Sequence, residues 1–124
     1  MKILVVDDEK DVQILFQQRF RKEIRKGDLN FVFAFSGEEA LDILKDMQQE
    51  AVLILSDINM PGMSGLKLLE IIKKDFVAPP PVVMMVTAYG DDDNFNTAKK
   101  LGADDFLTKP VDFKLLKDKL IQII

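Results

Sequence analysis

The segment LSDINMPGMSG, residues 55–65, joins an apolar run to a helical pattern, and this arrangement recurs along the chain. The apolar run ends at Asp57, and Asn59 and Pro61 are typical of the turn that would follow it. Ser64 is suited to cap a helix, because its hydroxyl can accept a hydrogen bond from a backbone N–H of the first turn. The segment therefore predicts a strand, a loop and a helix, with an aspartate at the end of the strand.

Continuous apolar runs of the same kind indicate the other strands. The predicted strands are residues 3–6, 31–35, 52–55, 82–86 and 106–107. Runs without polar alternation are typical of strands that are buried on both faces, as in a parallel sheet covered by helices. A strand followed by a helical segment occurs five times, which predicts a doubly wound α/β sheet in a single domain, residues 1–124.

The segments between the strands have the spacing of helices. In the first segment this spacing predicts one long helix through Val12, Phe16, Phe20 and Ile24. Helix ends are predicted from a capping box at Ser36 and Glu39, a C′ glycine at Gly102 and an N-cap at Asp112. Such residues satisfy the backbone groups that the ends of a helix leave unpaired.

The composition excludes several kinds of site. The chain has no cysteine and no histidine, which rules out zinc sites built on these residues and both Ser-His-Asp and Cys-His catalysis. Its net charge of −4 gives no support to direct nucleic-acid binding. No glycine-rich nucleotide motif, signal peptide or long apolar stretch is present, so we expect a cytoplasmic protein without a membrane segment.

Polar residues follow the predicted strands at four places. Asp7 and Asp8 follow the first strand, Asp57 ends the third, Thr87 ends the fourth and Lys109 follows the fifth. Parallel strands bring their carboxyl ends to one edge of the sheet, so we expect these side chains to meet there. Clustered carboxylates repel one another unless a cation lies among them, and Mg²⁺ prefers such oxygen ligands. A carboxylate nucleophile beside a lysine and a hydroxyl is suited to phosphoryl transfer.

Each of these residues also has an ordinary structural explanation. Asp8 could cap a helix, Asp57 could belong to a turn, and Lys109 could be a solvated lysine. Taken singly, the ordinary explanation is favoured for each residue. Their joint occurrence at matching strand ends favours the functional interpretation, because independent caps and turns have no reason to coincide in this way.

The chain resembles, from end to end, the receiver domains of two-component response regulators. The matching segments are VVDDE at 5–9, LSDINMPGMSG at 55–65, VTAYG at 86–90 and GADDFLTKP at 102–110. The resemblance implies a flavodoxin-like (βα)5 fold with strand order 2-1-3-4-5, as in chemotaxis regulators. It also implies a phosphorelay switch, not an enzyme, which assists its own phosphorylation and dephosphorylation. The phosphodonor would be a histidine kinase or a phosphotransfer protein.

The resemblance implies a role for each site residue. Asp57 would be the phosphoacceptor, with Lys109 and Thr87 assisting the transfer. The ligands for Mg²⁺ (or Mn²⁺) would be Asp7, Asp8, Asp57 and the backbone carbonyl of Asn59. The Lys109–Pro110 peptide bond is cis in similar domains.

Two further pairs of residues would control the signal and its lifetime. Thr87 and Phe106 would switch the face formed by the fourth helix, the fifth strand and the fifth helix. Asn59 and Tyr89 would tune the lifetime of the phosphorylated form. The output would reach a downstream effector domain or protein.

Two alternative functions remain open from the sequence. One is a pseudo-receiver, an interaction module without the chemistry; the intact Asp8, Asp57, Thr87 and Lys109 count against it. The other is a magnesium-dependent hydrolase with an aspartyl-phosphate intermediate, and Asn59 counts against it because residue 59 is not a second carboxylate. The sequence leaves open the cognate kinase, the effector, a phosphorylation-linked homodimer, and whether a C-terminal effector follows. The apolar end, residues 120–124, favours such an effector.

Basic residues are concentrated in the second half of the first helical segment. They are Arg19, Arg21, Lys22, Arg25 and Lys26, against the single acid Glu23. A solvated helix face explains this pattern, and a docking surface for an acidic partner is the alternative.

Overall fold

Five short strands form one parallel sheet in the computed structural model, which describes residues 1–47, 53–76 and 81–123. The strands are β1 (Lys2–Val6), β2 (Asn30–Ala34), β3 (Leu53–Asp57), β4 (Val82–Thr87) and β5 (Asp105–Thr108). Their order is β2-β1-β3-β4-β5, and all four pairings are parallel. The predicted fold class and strand order are confirmed. Val52, the predicted start of the third strand, lies outside the described residues.

The central strands carry the core, because each of them has a neighbour on both sides and helices on both faces. Every residue of β3 is buried, and so are all but the first residues of β1 and β4. The outer strands β2 and β5 are only partly buried. Burial on both faces, which the apolar runs predict, is therefore correct for the central strands and wrong for the two edges.

Six helices are found in the described residues. They are α1 (Asp11–Arg19), α2 (Arg21–Lys26), α3 (Gly37–Met47), α4 (Gly65–Asp75), α5 (Asp92–Lys100) and α6 (Phe113–Ile123). None of the helices in these described ranges has the length and apolar character needed to cross a membrane. The predicted fourth and fifth helices correspond to α5 and α6.

Most of the predicted helix caps are confirmed. The Ser64 hydroxyl accepts a hydrogen bond from the Lys67 N–H at 3.2 Å. The carboxylate of Asp112 caps α6, and Gly102 has a positive φ of 97° after α5. The capping box is half correct. The Ser36 hydroxyl accepts from the Glu39 N–H at 3.0 Å, as in a capping box. The Glu39 carboxylate, however, accepts from the Phe35 N–H at 3.4 Å, whereas a capping box would pair it with the Ser36 N–H.

The prediction of one long first helix is wrong, because the chain bends at Phe20. This residue has φ −109° and ψ 23° and separates α1 from α2. Its ring lies among those of Phe16, Phe31 and Phe113, with ring centroids 5.3–6.0 Å away. Packing of the Phe20 ring in this cluster outweighs the preference for a straight helix. Beyond the bend, Ile24 is 37% exposed, so the apolar period does not continue into the core.

Candidate functional site

Three carboxylates meet at the carboxyl ends of β1 and β3. Asp57 is the last residue of β3, and the register places Val6, just before Asp7, beside Ser56. One oxygen from each of Asp7, Asp8 and Asp57 can be chosen so that all three atoms lie within 4.8 Å of one another. Asp57 is only 2% exposed, Asp7 is half-buried and Asp8 is exposed. The convergence that the strand order predicts is therefore present.

A lysine from the loop after β5 completes this cluster. The Lys109 Nζ donates a hydrogen bond to Asp57 Oδ2 at 2.6 Å. The Lys109 backbone N–H donates to the Thr87 carbonyl at 2.8 Å, which holds the loop against the end of β4. The following bond, Lys109–Pro110, is cis, as the resemblance implies. The charge of Lys109 is thus placed directly on the most buried carboxylate of the cluster.

The close approach of these charges changes the pKa of Asp7 and of Lys109. Burial raises the pKa of Asp7, and repulsion from Asp57 and Asp8 adds to this effect. The Glu9 N–H, which donates to Asp7 Oδ1 at 2.9 Å, and the charge of Lys109 act in the opposite direction. Partial burial alone would lower the pKa of Lys109, but its hydrogen bond and attraction to Asp57 outweigh this, and its pKa is raised.

The donor set suits a hard divalent cation. Three carboxylates supply only oxygen ligands, and their mutual repulsion disfavours the fully ionised cluster unless positive charge is added. Lys109 supplies one positive charge from one side. Asn59 is exposed in the loop directly after β3, where its backbone lies two residues from Asp57. The residues present therefore fit Mg²⁺ or Mn²⁺.

Gly65 holds the loop after Asp57 in place, and sequence reasoning missed this role. Its N–H donates to the Ile58 carbonyl at 2.7 Å. A Cβ at this position would lie 2.0 Å from the Asp57 carbonyl oxygen and 2.7 Å from the Ile58 Cα. Only a residue without a side chain allows α4 to begin this close to the end of β3. A glycine at the first position of a helix, where it is a poor helix former, was the available signal.

Thr87 and Phe106 lie beside a second, smaller cavity. Thr87 is 6% exposed, and no described residue makes a hydrogen bond with its hydroxyl. A cavity of about 180 Å³ is lined by both side chains and by Phe95. The ring of Phe106 packs on that of Phe95, with centroids 4.3 Å apart. Tyr89 is 90% exposed on the loop after β4 and is not part of the carboxylate cluster.

An apolar cavity of about 420 Å³ opens beside the cluster. Asp57 and Lys109 line one end of it, and Val12, Phe16 and Phe113 line its apolar part. The cavity thus joins the charged cluster to a largely apolar wall formed by α1 and the start of α6.

Sequence comparisons find relatives that match nearly the whole chain. Sporulation initiation phosphotransferase F from Bacillus subtilis is 37% identical over 118 residues, covering 94% of this chain and 88% of that protein. Transcriptional regulatory protein CpxR from Escherichia coli is 32% identical, and the match covers 99% of this chain but 49% of CpxR. A cyclic di-GMP phosphodiesterase from Thermotoga maritima is 31% identical, and only 30% of that protein is covered. The chain therefore spans half or less of these two longer relatives.

The solved structures give the same result. A response regulator receiver domain protein from Clostridium thermocellum has a TM-score of 0.84 and 31% identity, covering 99% of this chain and 93% of that one. Residues 3–121 match the response regulator receiver domain family. The chain belongs to the response regulator receiver domain family.

Proposed function

We propose that Asp57 accepts a phosphoryl group from a partner protein and that this modification switches the domain between two states. The observation that carries the proposal is the environment of Asp57. Its carboxylate is 2% exposed, is held by Lys109 at 2.6 Å and lies with Asp7 and Asp8 in one cluster. A carboxylate with no role in chemistry would gain little from burial beside two others.

The transfer itself is a simple displacement. A carboxylate oxygen of Asp57 forms a bond to phosphorus while the bond from phosphorus to the leaving group breaks, and the leaving group keeps the electron pair. The Lys109 ammonium, which now binds Asp57 Oδ2, pairs with an oxygen of the phosphoryl group. The Thr87 hydroxyl at the end of β4 serves as a second hydrogen-bond donor.

The metal ligands in this proposal are Asp7, Asp8, Asp57 and the backbone carbonyl of Asn59. Bound there, Mg²⁺ or Mn²⁺ would supply positive charge that neutralises the phosphoryl oxygens during transfer. Asp8 is exposed and Asp7 half-buried, so the cluster is open to solvent on one side.

The phosphodonor must come from outside the chain if it is a phosphohistidine, because the chain has no histidine. We propose a histidine kinase or a phosphotransfer protein as this donor. The prediction that residues 1–124 form one receiver domain, with or without a following effector, stays a prediction.

The phosphoryl group would act through Thr87 and Phe106. The cavity of about 180 Å³ between them leaves room for the Phe106 ring to leave Phe95 and move toward Thr87. Phosphorylation adds about −1.5 to −2 charges and three acceptor oxygens, which attract the Thr87 hydroxyl. This movement would change the face formed by α5, β5 and α6, and Asn59 and Tyr89 would tune how long the change lasts.

The test is direct labelling at Asp57. The protein is incubated with Mg²⁺ and acetyl phosphate, and the intact mass is measured for the wild type, Asp57→Asn and the matched control Asp92→Asn, which changes an exposed carboxylate. We expect a mass gain of one phosphoryl group in the wild type and in Asp92→Asn only. No gain in the wild type would favour a pseudo-receiver, and an equal gain in Asp57→Asn would place the phosphoacceptor elsewhere.

A further inference from the structure

Strand β2 forms an outer edge of the sheet in the described part of the chain. The Asn30 N–H donates to the Met1 carbonyl at 2.8 Å, and the Ala34 carbonyl accepts from the Asp7 N–H at 3.1 Å. Since backbone groups of successive strand residues point to opposite sides, those of Phe31 and Phe33 point away from β1. The next outward N–H, that of Phe35, is covered by the Glu39 carboxylate. Phe31 and Phe33 therefore offer an open hydrogen-bonding edge.

A groove runs along this open edge, between β2 and α2. Its volume is about 370 Å³, and Ile24, Phe31 and Phe33 form its apolar floor. Arg21 and Arg25, one helical turn apart, line the same groove. The bend at Phe20 sets α2 as a separate helix along the rim. An apolar floor and two guanidinium groups thus lie beside the free main-chain groups of the same strand.

The positive charge at this rim forms no direct ion pair within the described residues. Arg21, Lys22, Arg25 and Lys26 are exposed, and none of them has an ion-pair partner in that part of the chain. The only acid of α2, Glu23, is instead bound by Lys117 of α6 at 2.7 Å. A chain with a net charge of −4 therefore leaves a concentrated positive surface next to an open strand edge.

We propose that this groove binds an extended segment of a partner protein, which adds a strand to the edge of β2. The main-chain groups of the segment pair with Phe31 and Phe33, as in other cases of strand addition. Its groove-facing side chains alternate between acidic residues, which bind Arg21 and Arg25, and apolar residues, which fill the floor. A lipid headgroup would satisfy the arginines but not the ladder groups of the strand, and therefore a protein segment is the occupant that fits.

The basic residues also have a simpler explanation, in which charge only guards the edge against self-association. A charge that only prevents self-association can be positive or negative, whereas the proposed groove needs positive charge to bind acidic side chains. Reversing the two arginines therefore separates the explanations.

The experiment uses the peptide Glu-Thr-Val-Thr-Glu-Thr-Val-Thr-Glu. Its odd positions, which share one face of an extended strand, alternate between glutamate and valine, and threonine occupies the other face. Its affinity is measured by titration against the isotope-labelled protein, with amide exchange followed at Phe31 and Phe33. We expect both amides to become protected. Arg21→Glu/Arg25→Glu should weaken binding about tenfold or more, whereas Lys22→Glu/Lys26→Glu, the same charge change outside the groove, should weaken it less than about threefold in ordinary salt. Thermal melts check that both double variants remain folded, with Arg21→Gln/Arg25→Gln as a milder replacement.

Several outcomes would overturn the proposal. The first is no protection of Phe31 and Phe33 at peptide concentrations up to about 1 mM. The second is equal loss of affinity in the two double variants, and the third is equal binding of a peptide with lysine in place of glutamate. Binding to phosphatidylglycerol vesicles that both double variants lose equally, without protection of β2, would identify the surface as a lipid-binding one. Labelling of Asp57 is measured separately, so the two proposals can fail independently.

Discussion

The substitution Gly65→Ala tests how tightly the start of α4 is packed against the end of β3, which carries Asp57. The new Cβ would lie 2.0 Å from the Asp57 carbonyl oxygen, whereas a Cβ atom essentially never lies closer than 3.0 Å to a heavy atom to which it is not bonded. The helix and the end of β3 must therefore separate by about 1 Å or more. The obstacle is backbone, so no side-chain rotation can relieve it.

Helix propensity and packing give opposite signs for this substitution. Alanine is a better helix former than glycine by about 1 kcal/mol, so propensity alone predicts greater stability. Overpacking typically costs about 1–3 kcal/mol and more where the backbone must move, so we expect a net loss of about 2 kcal/mol. With an unfolding entropy of about 2.1 cal/mol/K per residue, this loss lowers the Tm by about 8 °C. Phosphorylation by acetyl phosphate should also slow, because Asp57 shifts relative to Lys109.

Gly37→Ala is the matched control, because Gly37 is also the first residue of a helix and follows a serine cap. The three atoms nearest its Cβ would all belong to the Met63 side chain, with the sulfur at 2.9 Å and Cβ and Cγ at 3.0 Å, so side-chain atoms and not a backbone carbonyl must shift. The melting temperature and the labelling rate are measured for both variants. If Gly65→Ala melts at or above the wild-type temperature, or labels at the wild-type rate, the packing argument is wrong.

Two further substitutions test the electrostatic pairs. Lys109→Met should lower the free energy of unfolding by about 1–2 kcal/mol at pH 7 without metal, less than for a fully buried pair because Lys109 is 39% exposed. Urea titrations give the free energy of unfolding of this variant, of Asp57→Asn and of the double variant. The loss in the double variant should be smaller than the sum of the two single losses, and strict additivity would contradict the pairing of Lys109 with Asp57. Glu23→Gln should cost at most about 1 kcal/mol at pH 7, because the hydrogen bond from Lys117 lowers the pKa of Glu23. A lowered folded-state pKa gives stability that is present above the unfolded pKa and lost as pH falls through the folded one, so the difference from wild type should shrink as the pH is lowered below the ordinary glutamate value of 4.5. An unchanged difference there would refute this assignment.

Much of the site was predictable from local patterns. Asp7, Asp57, Thr87 and Lys109 follow apolar runs, and parallel topology alone requires such positions to share one edge. The caps at Ser64 and Asp112 were predictable because a cap acts within a few residues of sequence. These features depend on residues that are close together in the chain, so they can be read directly from the sequence.

The remaining features depend on contacts between distant segments. The bend at Phe20 arises because its ring joins a cluster with Phe31 and Phe113, and the helical period alone does not contain that contact. The contact of Gly65 with the Asp57 backbone is likewise set by how α4 packs on β3. The sequence by itself therefore determined the fold class and the residues that meet at the sheet edge. Only the tertiary structure decided where the first helix bends and that α2 lies along the groove beside β2, because both depend on the packing of side chains that are far apart in the chain.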